Sequence, residues 1–394
     1  MEIRIDTTEE QKLRAEIAAR TDTDALRMQR YLSMPDLART NGSPIKELVS
    51  RISSIPDFKN FDTIHVPEIM STEIAFDLFD FPADHPARSK SDTYYADDNH
   101  ILRTQTTVMW YYYFKQPEIL EKLARKEAMG VFCFGKVYRK DEIDRKHMNV
   151  FHQIDALYIA PKDSEPITLD TLKDVELKIV KAIFGDVEHR FVEETFPYTH
   201  PSTEIEILRN GLAGEPADPN IDRADEKNWL EILGSGVVKP SVLEKLGVDP
   251  NVYNGWAWGS GIERWAMTSM DLPDIRLLWS DDERVKKQLV LGQKYKEVSK
   301  YPAVTRDISF IVDKAGFAPN NYFELVRDVI GDLGEEMALV DEYENDAKFG
   351  AGKKSYAYRI TYRALDRTLT DDEVNALHKK LEEETVRVYG AVVR

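Results

Sequence analysis

Apolar positions near the start of this chain recur every three to four residues. In "TEEQKLRAEIAARTDTDALRMQRYLSM", Leu13, Ile17 and Ala18 fall at helical spacing, and Thr8 stands as a cap before Glu10. "SPIKELVSRISSI" predicts a second helix, with Ser43 ahead of Pro44 in the first turn. The period then shortens. "TIHVPEI", "DTYYA" and "ILRTQ" read as short strands, and "VMWYYYFKQPEILEKLARKEA" mixes aromatics with a helical tail opened by Pro117. Alternation is clearest at Phe134–Tyr138 and again through Phe151, Ile154, Leu157 and Ile159. A helix follows, with Leu172, Val175, Ile179 and Ile183 on one face. "HRFVEETFPY" and "STEIEILRN" are strands. "NWLEILGSGVVKPSVLEKLG" is strand, glycine turn and short helix, and "GWAWGSGIERWAMTSM" is a glycine-rich strand entering a helix.

The pattern breaks near Lys294–Tyr301 and restarts as a small unit: strand "TRDISFIVD", helix "NNYFELVRDVIGDLG", strands "MALVDEYENDA" and "KSYAYRITYRA", helix "DDEVNALHKKLEEETVRVYG", and a short strand in "AVVR". That order is the split βαβ, ferredoxin-like arrangement. Thr370 with Glu373 three residues on reads as a capping box. The expected organisation is an N-terminal helical segment over residues 1–60, a main domain over 61–293, a linker at 294–300 and the small domain at 301–394. Nothing repeats at a fixed period.

Composition narrows the class. The 394 residues, 42% of them hydrophobic, suffice for sizeable cores. A net charge of −17 disfavours indiscriminate nucleic-acid binding while permitting a local basic face. A single cysteine, Cys133, rules out an internal disulfide or a cysteine-based metal cluster. No apolar run reaches the length of a membrane span, and "MEIRIDTTEEQ" has no apolar signal core and is too acidic for a transit peptide. The expectation is a cytoplasmic protein, with the mature form of a mitochondrial matrix protein as alternative.

The connection between the two clearest alternating runs, "RKDEIDRKH", holds far more charge than a turn requires and no Gly or Pro. Arg139 leads into it. A second arginine, Arg264, opens a helix after Gly255, Ala257, Gly259 and Gly261, where a ligand can approach the backbone closely. Two arginines in such settings suit a polyphosphate, because the guanidinium is a fixed, always-charged fork. Taken singly, each reads equally as a solvated strand end or as tight helix–sheet packing. Neither a Walker A sequence nor a GxGxxG motif is present, so any nucleotide site is built another way.

These segments together resemble a known family. "VYRKDEIDRKHMNVFHQIDALYI" resembles motif 2 of class II aminoacyl-tRNA synthetases in the form found in phenylalanyl-tRNA synthetases, and "GWAWGSGIERWAMTSMDLPDIRLLW" resembles their motif 3. "ADHPARSKSDTYY" with "ILRT", and "FPYTHPSTEIEI", are similar to two further segments of that family, and the tail from about Tyr301 resembles its ferredoxin-fold anticodon-binding domain. Catalytic core and tail on one chain are most similar to the single-chain mitochondrial type. The resemblance implies an α+β fold: a class II antiparallel sheet flanked by helices, plus a C-terminal ferredoxin-like domain. It implies ATP-dependent activation of phenylalanine and transfer to tRNA(Phe), with ATP and Mg²⁺ as cofactors.

Carried across residue by residue, Arg139 would hold the α-phosphate, Asp141 would lie near the adenine, and His147 would reach the distal phosphates. Phe151 would stack on the adenine, and Arg264 would cover its other face and contact the triphosphate. Glu142 and Glu231 are the magnesium candidates. For the amino acid, Gln153 and Asp155 share the face of Phe151 and match the family's Gln and Glu, with Asp155 one methylene shorter. Phe196 and Tyr198 match pocket aromatics that read as ordinary core outside this context. Ala257 matches the small residue at the far end of the ring.

Some positions depart from the family pattern. Gln105, Thr106 and Thr107 stand where His-Thr-Ser is usual, Trp110 occupies a position usually polar, and His200 stands where Glu is common. Gln105 and Thr107 still offer hydrogen bonds to an ammonium or carboxylate. These departures leave open an enzyme for a different amino acid, and a non-catalytic tRNA-binding paralogue is the third reading. In the tail, Lys348, Lys353, Lys354, Arg359, Arg363 and Arg367 interleave with Tyr343, Phe349, Tyr356, Tyr358 and Tyr362, a pattern that suits single-stranded RNA binding, although an ordinary solvated sheet with aromatic packing reads the same. No segment reads as an editing domain. A monomer or homodimer without a separate beta subunit is expected, with motif 1 only loosely recognisable around Val66, Pro67 and Glu68.

Overall fold

The two runs flanking the charged connection lie side by side as long antiparallel strands, with Val137 opposite Phe151 and Cys133 opposite Asp155. The computed structural model describes residues 1–140 and 144–394. They fall into two compact units, Met1–Tyr295 and Lys296–Arg394.

In chain order the strands of the first unit are β1 (Glu2–Arg4), β2 (Asp62–His65), β3 (Ile69–Ser71), β4 (His100–Leu102), β5 (Met129–Tyr138), β6 (Val150–Pro161), β7 (His189–Phe196), β8 (Thr199–Leu208), β9 (Trp229–Val238) and β10 (Tyr253–Gly261). Eight form one sheet in the order β1-β2-β5-β6-β10-β9-β8-β7. From β5 to β7 every neighbouring pair is antiparallel, and β1 and β2 add a parallel edge. β3 and β4 form a separate two-stranded antiparallel sheet. The helix Leu169–Phe184 buries Leu172, Val175, Ile179 and Ile183, as its spacing predicts. "DTYYA" does not form a strand: it contributes a single bridge, Tyr95 to Ile101.

The N-terminal helices Thr8–Ala19, Thr23–Ser33 and Pro44–Ser53 belong to this unit. Ser43 caps the third by accepting from the Ile45 N–H, with Pro44 in the first turn. Thr8 does not cap the first, because its hydroxyl and N–H both go to Asp6. Charges tie this segment to the sheet. Glu68 accepts from Arg14 at 2.6 Å and from Tyr138 at 2.8 Å, and Arg39 donates to the Phe134 carbonyl at 2.8 Å. Fully buried His152 accepts from the Leu37 N–H at 2.9 Å.

In the second unit, β11 (Val304–Asp313), β12 (Gly334–Glu344), β13 (Lys353–Tyr362) and β14 (Val392–Val393) pair in the order β12-β13-β11-β14. Helices Pro319–Ile330 and Asp371–Tyr389 complete the ferredoxin-like order. Thr370 caps the second helix by accepting from the Glu373 N–H. The reciprocal half of the expected capping box is missing, since the Glu373 carboxylate binds Arg367. A complete box forms instead at Thr168–Thr171, with a threonine in the position usually held by Glu or Gln.

Candidate active site

Alternation along β6 turns Phe151, Gln153 and Asp155 to one face, where all three line a cavity of about 1140 Å³. Arg139, His147, Phe196, Tyr198, Glu231, Ala257 and Arg264 line the same cavity, as do Gln105 and Thr107. Asp141 and Glu142 lie outside the described residues.

One end of the cavity is organised around Asp155, which is only 7% exposed. Its carboxylate accepts from Thr107 Oγ1 at 2.8 Å and from the Thr106 hydroxyl. Burial pushes its pKa up to about 6, even though those hydroxyls and nearby Arg139 favour the ionised form. Glycine on the neighbouring strand makes the room: a Cβ at Gly259 would sit 2.3 Å from Asp155 Oδ1. Gln153 Oε1 accepts from the Thr106 N–H at 3.3 Å. Phe196 and Tyr198 stack with ring centroids 6.2 Å apart. Gly234 allows this, because a Cβ there would meet the Phe196 ring at 2.6 Å.

Two buried donors face this region. Gln105 Nε2 and Trp110 Nε1 have no hydrogen-bond partner among the described residues, and both side chains line the cavity. Trp110 meets Tyr198 edge-on at 5.7 Å. Unpaired buried donors are costly, so their placement suits a ligand that supplies acceptors.

The other end is cationic. Arg139 lies with its guanidinium 5.2 Å from the Phe151 ring centre and donates to the Thr104 carbonyl at 3.2 Å. Arg264 donates to Glu231 Oε2 at 2.6 Å and to the Glu231 carbonyl at 3.2 Å. His147 Nδ1 lies 3.0 Å from Asp144 Oδ1, and that oxygen also accepts the His147 and Lys146 N–H groups. Gly261 faces Phe151, where a Cβ would lie 3.9 Å from the ring, an ordinary contact.

Among the described residues no cluster of three or more His, Cys, Asp or Glu side chains forms a metal cage. A cage is not required for Mg²⁺ carried by phosphates, which needs one or two carboxylates. Glu231 fits that role and has negative neighbours: burial and then Glu231, Glu194 and Glu206 raise the Glu204 carboxyl to about 7.

Sequence reasoning missed part of this site. The loop after β8 contributes Arg209, Leu212, Ala213 and Glu215 to the lining. The available signal was an arginine directly after a strand, as at Arg139, here followed by Asn-Gly rather than an acidic loop. It also missed His152 on the opposite face of β6. Its backbone N–H donates to both oxygens of Glu263, at 2.8 and 2.9 Å, and its Nδ1 lies 2.6 Å from Oε1. Burial disfavours the imidazolium, but Glu263 and Asp36 outweigh it and favour a value of about 9. The Leu37 N–H aimed at Nε2 opposes this. We assign the Nδ1–H tautomer from that 2.9 Å contact, which is shorter than the 3.4 Å to Asp36.

The tail strand corrects one expectation. Tyr356, Tyr358 and Tyr362 are not exposed RNA-stacking platforms, although the Lys354 ammonium lies 5.2 Å from the Tyr356 ring centre and Tyr343 remains exposed. Those three tyrosines are buried in the core with Phe310 and Tyr322. Arg359 pairs with Asp307 through two bonds of 2.8 Å, Arg363 with Glu335 at 2.9 Å, and Lys354 with Glu342 at 3.0 Å. Lys353 is half-buried at the strand's start.

The family described as "tRNA synthetases class II core domain (F)" matches residues 30–289, and "Ferredoxin-fold anticodon binding domain" matches residues 299–394. The chain is 37% identical over 348 residues to the phenylalanine–tRNA ligase, chloroplastic/mitochondrial, of Arabidopsis thaliana, covering 86% of this chain and 73% of that protein. It is 35% identical over 376 residues to the mitochondrial phenylalanine–tRNA ligase of Mus musculus, covering 86% and 76%. It is 34% identical over 259 residues to the phenylalanine–tRNA ligase alpha subunit of Nostoc punctiforme, covering 65% and 70%.

Proposed function

Since this chain belongs to the phenylalanine–tRNA ligases of the class II synthetase family, we propose that it activates L-phenylalanine with ATP and transfers it to tRNA(Phe). One observation carries this reading: a single cavity joins a buried carboxylate, Asp155, to a cationic end bearing Arg139 and Arg264. Asp155 and Gln153 take the α-ammonium, and Gln105 and Thr107 orient the head group. Phe196, Tyr198 and Ala257 enclose the ring. The substrate carboxylate attacks the α-phosphorus directly and pyrophosphate leaves, so no protein nucleophile is needed. The chain's contribution is alignment and charge stabilisation.

In this reading Arg139 moves from the Phe151 ring to the α-phosphate, and the vacated ring receives the adenine. Arg264 covers the opposite adenine face. His147 reaches the distal phosphates. Glu231 would hold Mg²⁺, which supplies charge neutralisation on the phosphates; Glu142 is its proposed companion. Lys353, Lys354, Arg359 and Arg363 are proposed to meet the tRNA backbone by exchanging their carboxylate partners for phosphates.

ATP–pyrophosphate exchange across a panel of amino acids tests the assignment. Phenylalanine-dependent exchange is expected, and exchange with none of the panel would sink it. A second reading, a different aromatic amino acid, is favoured by the unpartnered Trp110 and Gln105 donors, and the same panel decides it. A non-catalytic paralogue has no need of the two arginines in the cavity. The relatives' names place them in mitochondria and chloroplasts, so we propose an organellar site of action. The cytoplasmic expectation finds no support there. The anticodon-type unit on the same chain fits an enzyme with no separate beta subunit, acting as monomer or homodimer, which sedimentation would resolve.

A further inference from the structure

Arg209 is the first residue beyond β8. Its N–H donates to the Asn228 carbonyl at 2.8 Å, closing the base of the loop that runs from β8 to β9. Just beyond, Asn210 and Asp218 exchange two hydrogen bonds, of 3.0 and 2.7 Å. The loop's far side is tied by Glu215 to Lys294 at 3.2 Å, and Lys294 also binds Asp271 at 3.2 Å. The backbone of Arg209 is therefore fixed while its side chain lines the cavity.

That side chain makes no hydrogen bond or ion pair with any described residue, in a protein whose acidic residues outnumber its basic ones by 17. Its charged neighbour is another arginine. Partial burial and the Arg264 charge both lower its pKa below the ordinary arginine range. Arg264 has the Glu231 carboxylate at 2.6 Å, and nothing comparable serves Arg209. Two guanidinium groups lining one cavity, only one of them paired with a carboxylate, favour a ligand bearing more than one negative charge.

We propose that Arg209 is a substrate-binding residue of the polyphosphate end of this cavity, contacting the β- and γ-phosphates that leave as pyrophosphate. The inference rests on the ATP-dependent reading above. It adds a third arginine, supplied by the β8–β9 loop, to those of the motif 2 and motif 3 segments.

The test uses the full chain with Arg209→Met and Arg209→Lys. In amino-acid-dependent exchange, Arg209→Met is expected to raise the KM for ATP by about 10-fold or more. The KM for the amino acid should stay within about twofold, and Arg209→Lys should recover part of the loss by retaining the charge. Calorimetry with inorganic pyrophosphate and with AMP separates the phosphate groups. Pyrophosphate binding should weaken while AMP binding does not. Unchanged ATP and pyrophosphate binding in Arg209→Met overturns the proposal, and so does equal weakening of AMP, which would place Arg209 at the adenosine half. If the wild-type chain shows no exchange with any amino acid yet binds pyrophosphate in an Arg209-dependent way, the functional reading fails and this inference stands.

Discussion

Asp155 shows how a single residue trades stability for binding. Its carboxyl titrates near pH 6 in the folded chain and near 3.8 when unfolded. A raised acid pKa means the unfolded state releases its proton first. Folding is therefore unpenalised below pH 4, loses ground between 4 and 6, and carries the full penalty above 6, about 3 kcal/mol. Asp155→Asn is accordingly expected to raise the urea midpoint at pH 8 and leave it little changed at pH 4. The same variant should lose amino-acid-dependent exchange, because a neutral amide cannot balance the ammonium. In the wild type, the KM for the amino acid should rise as pH falls below about 6. Gly259→Ala tests the geometry separately: its methyl group would occupy the space of Asp155 Oδ1, so amino-acid KM should rise while ATP binding holds. At the other end, Arg139→Ala should cost on the order of 10²–10³ in exchange rate, the usual loss for one transition-state donor.

At the level of elements, the informative joint is the one between β6 and the helix Ile262–Met270. His152 sits between Phe151 and Gln153 and points away from the cavity, into Glu263, the residue preceding Arg264. The strand bearing Phe151 and the helix bearing Arg264, the two halves of the proposed adenine site, are thus joined by one buried pair, and Leu37 of the N-terminal segment bonds its far side. His152→Ala would strand a carboxylate that is 3% exposed, a change expected to cost about 3 kcal/mol in urea denaturation. A loss below about 0.5 kcal/mol, typical of surface sites, would show that the joint is not held there. None of this was legible in the sequence, because Leu37 and His152 are 115 positions apart and no periodicity links them. The strands β5, β6 and β10 were legible, since alternation and glycine placement are local signals. The tyrosines of β13 were misread because alternation shows which residues share a face and not whether helices cover it. In this unit the helices Pro319–Ile330 and Asp371–Tyr389 contribute Tyr322 and Leu381 to the core that buries them.

Across the whole molecule, the cavity and the anticodon-binding-type domain fall in separate units. Every residue lining the cavity lies between Phe81 and Ile275, inside the unit Met1–Tyr295. Lys296–Arg394 has its own core, built on Phe310, Tyr322, Tyr358 and Leu381. An apolar pocket alone rejects an added hydroxyl by only about 10², and we propose that the chain carries no second, hydrolytic site. Tyrosyl-tRNA supplied to the chain should therefore persist, and its rapid deacylation would contradict that reading. The division also separates the two half-reactions experimentally. A chain ending at Tyr295 keeps every residue that lines the cavity and should retain phenylalanine-dependent exchange; Asp155 bonds to Thr106 and Thr107, and Arg264 to Glu231, all within that unit. Charging of tRNA should fall by roughly 10-fold or more, since the proposed Lys353, Lys354, Arg359 and Arg363 contacts to phosphates would be lost together. Measuring both activities on the same preparation makes the comparison internal. Parallel loss of exchange and charging would mean that the small unit supports the catalytic fold. Preserved charging would mean that tRNA is recognised chiefly by Met1–Tyr295, leaving Lys353, Lys354, Arg359 and Arg363 to their carboxylate partners.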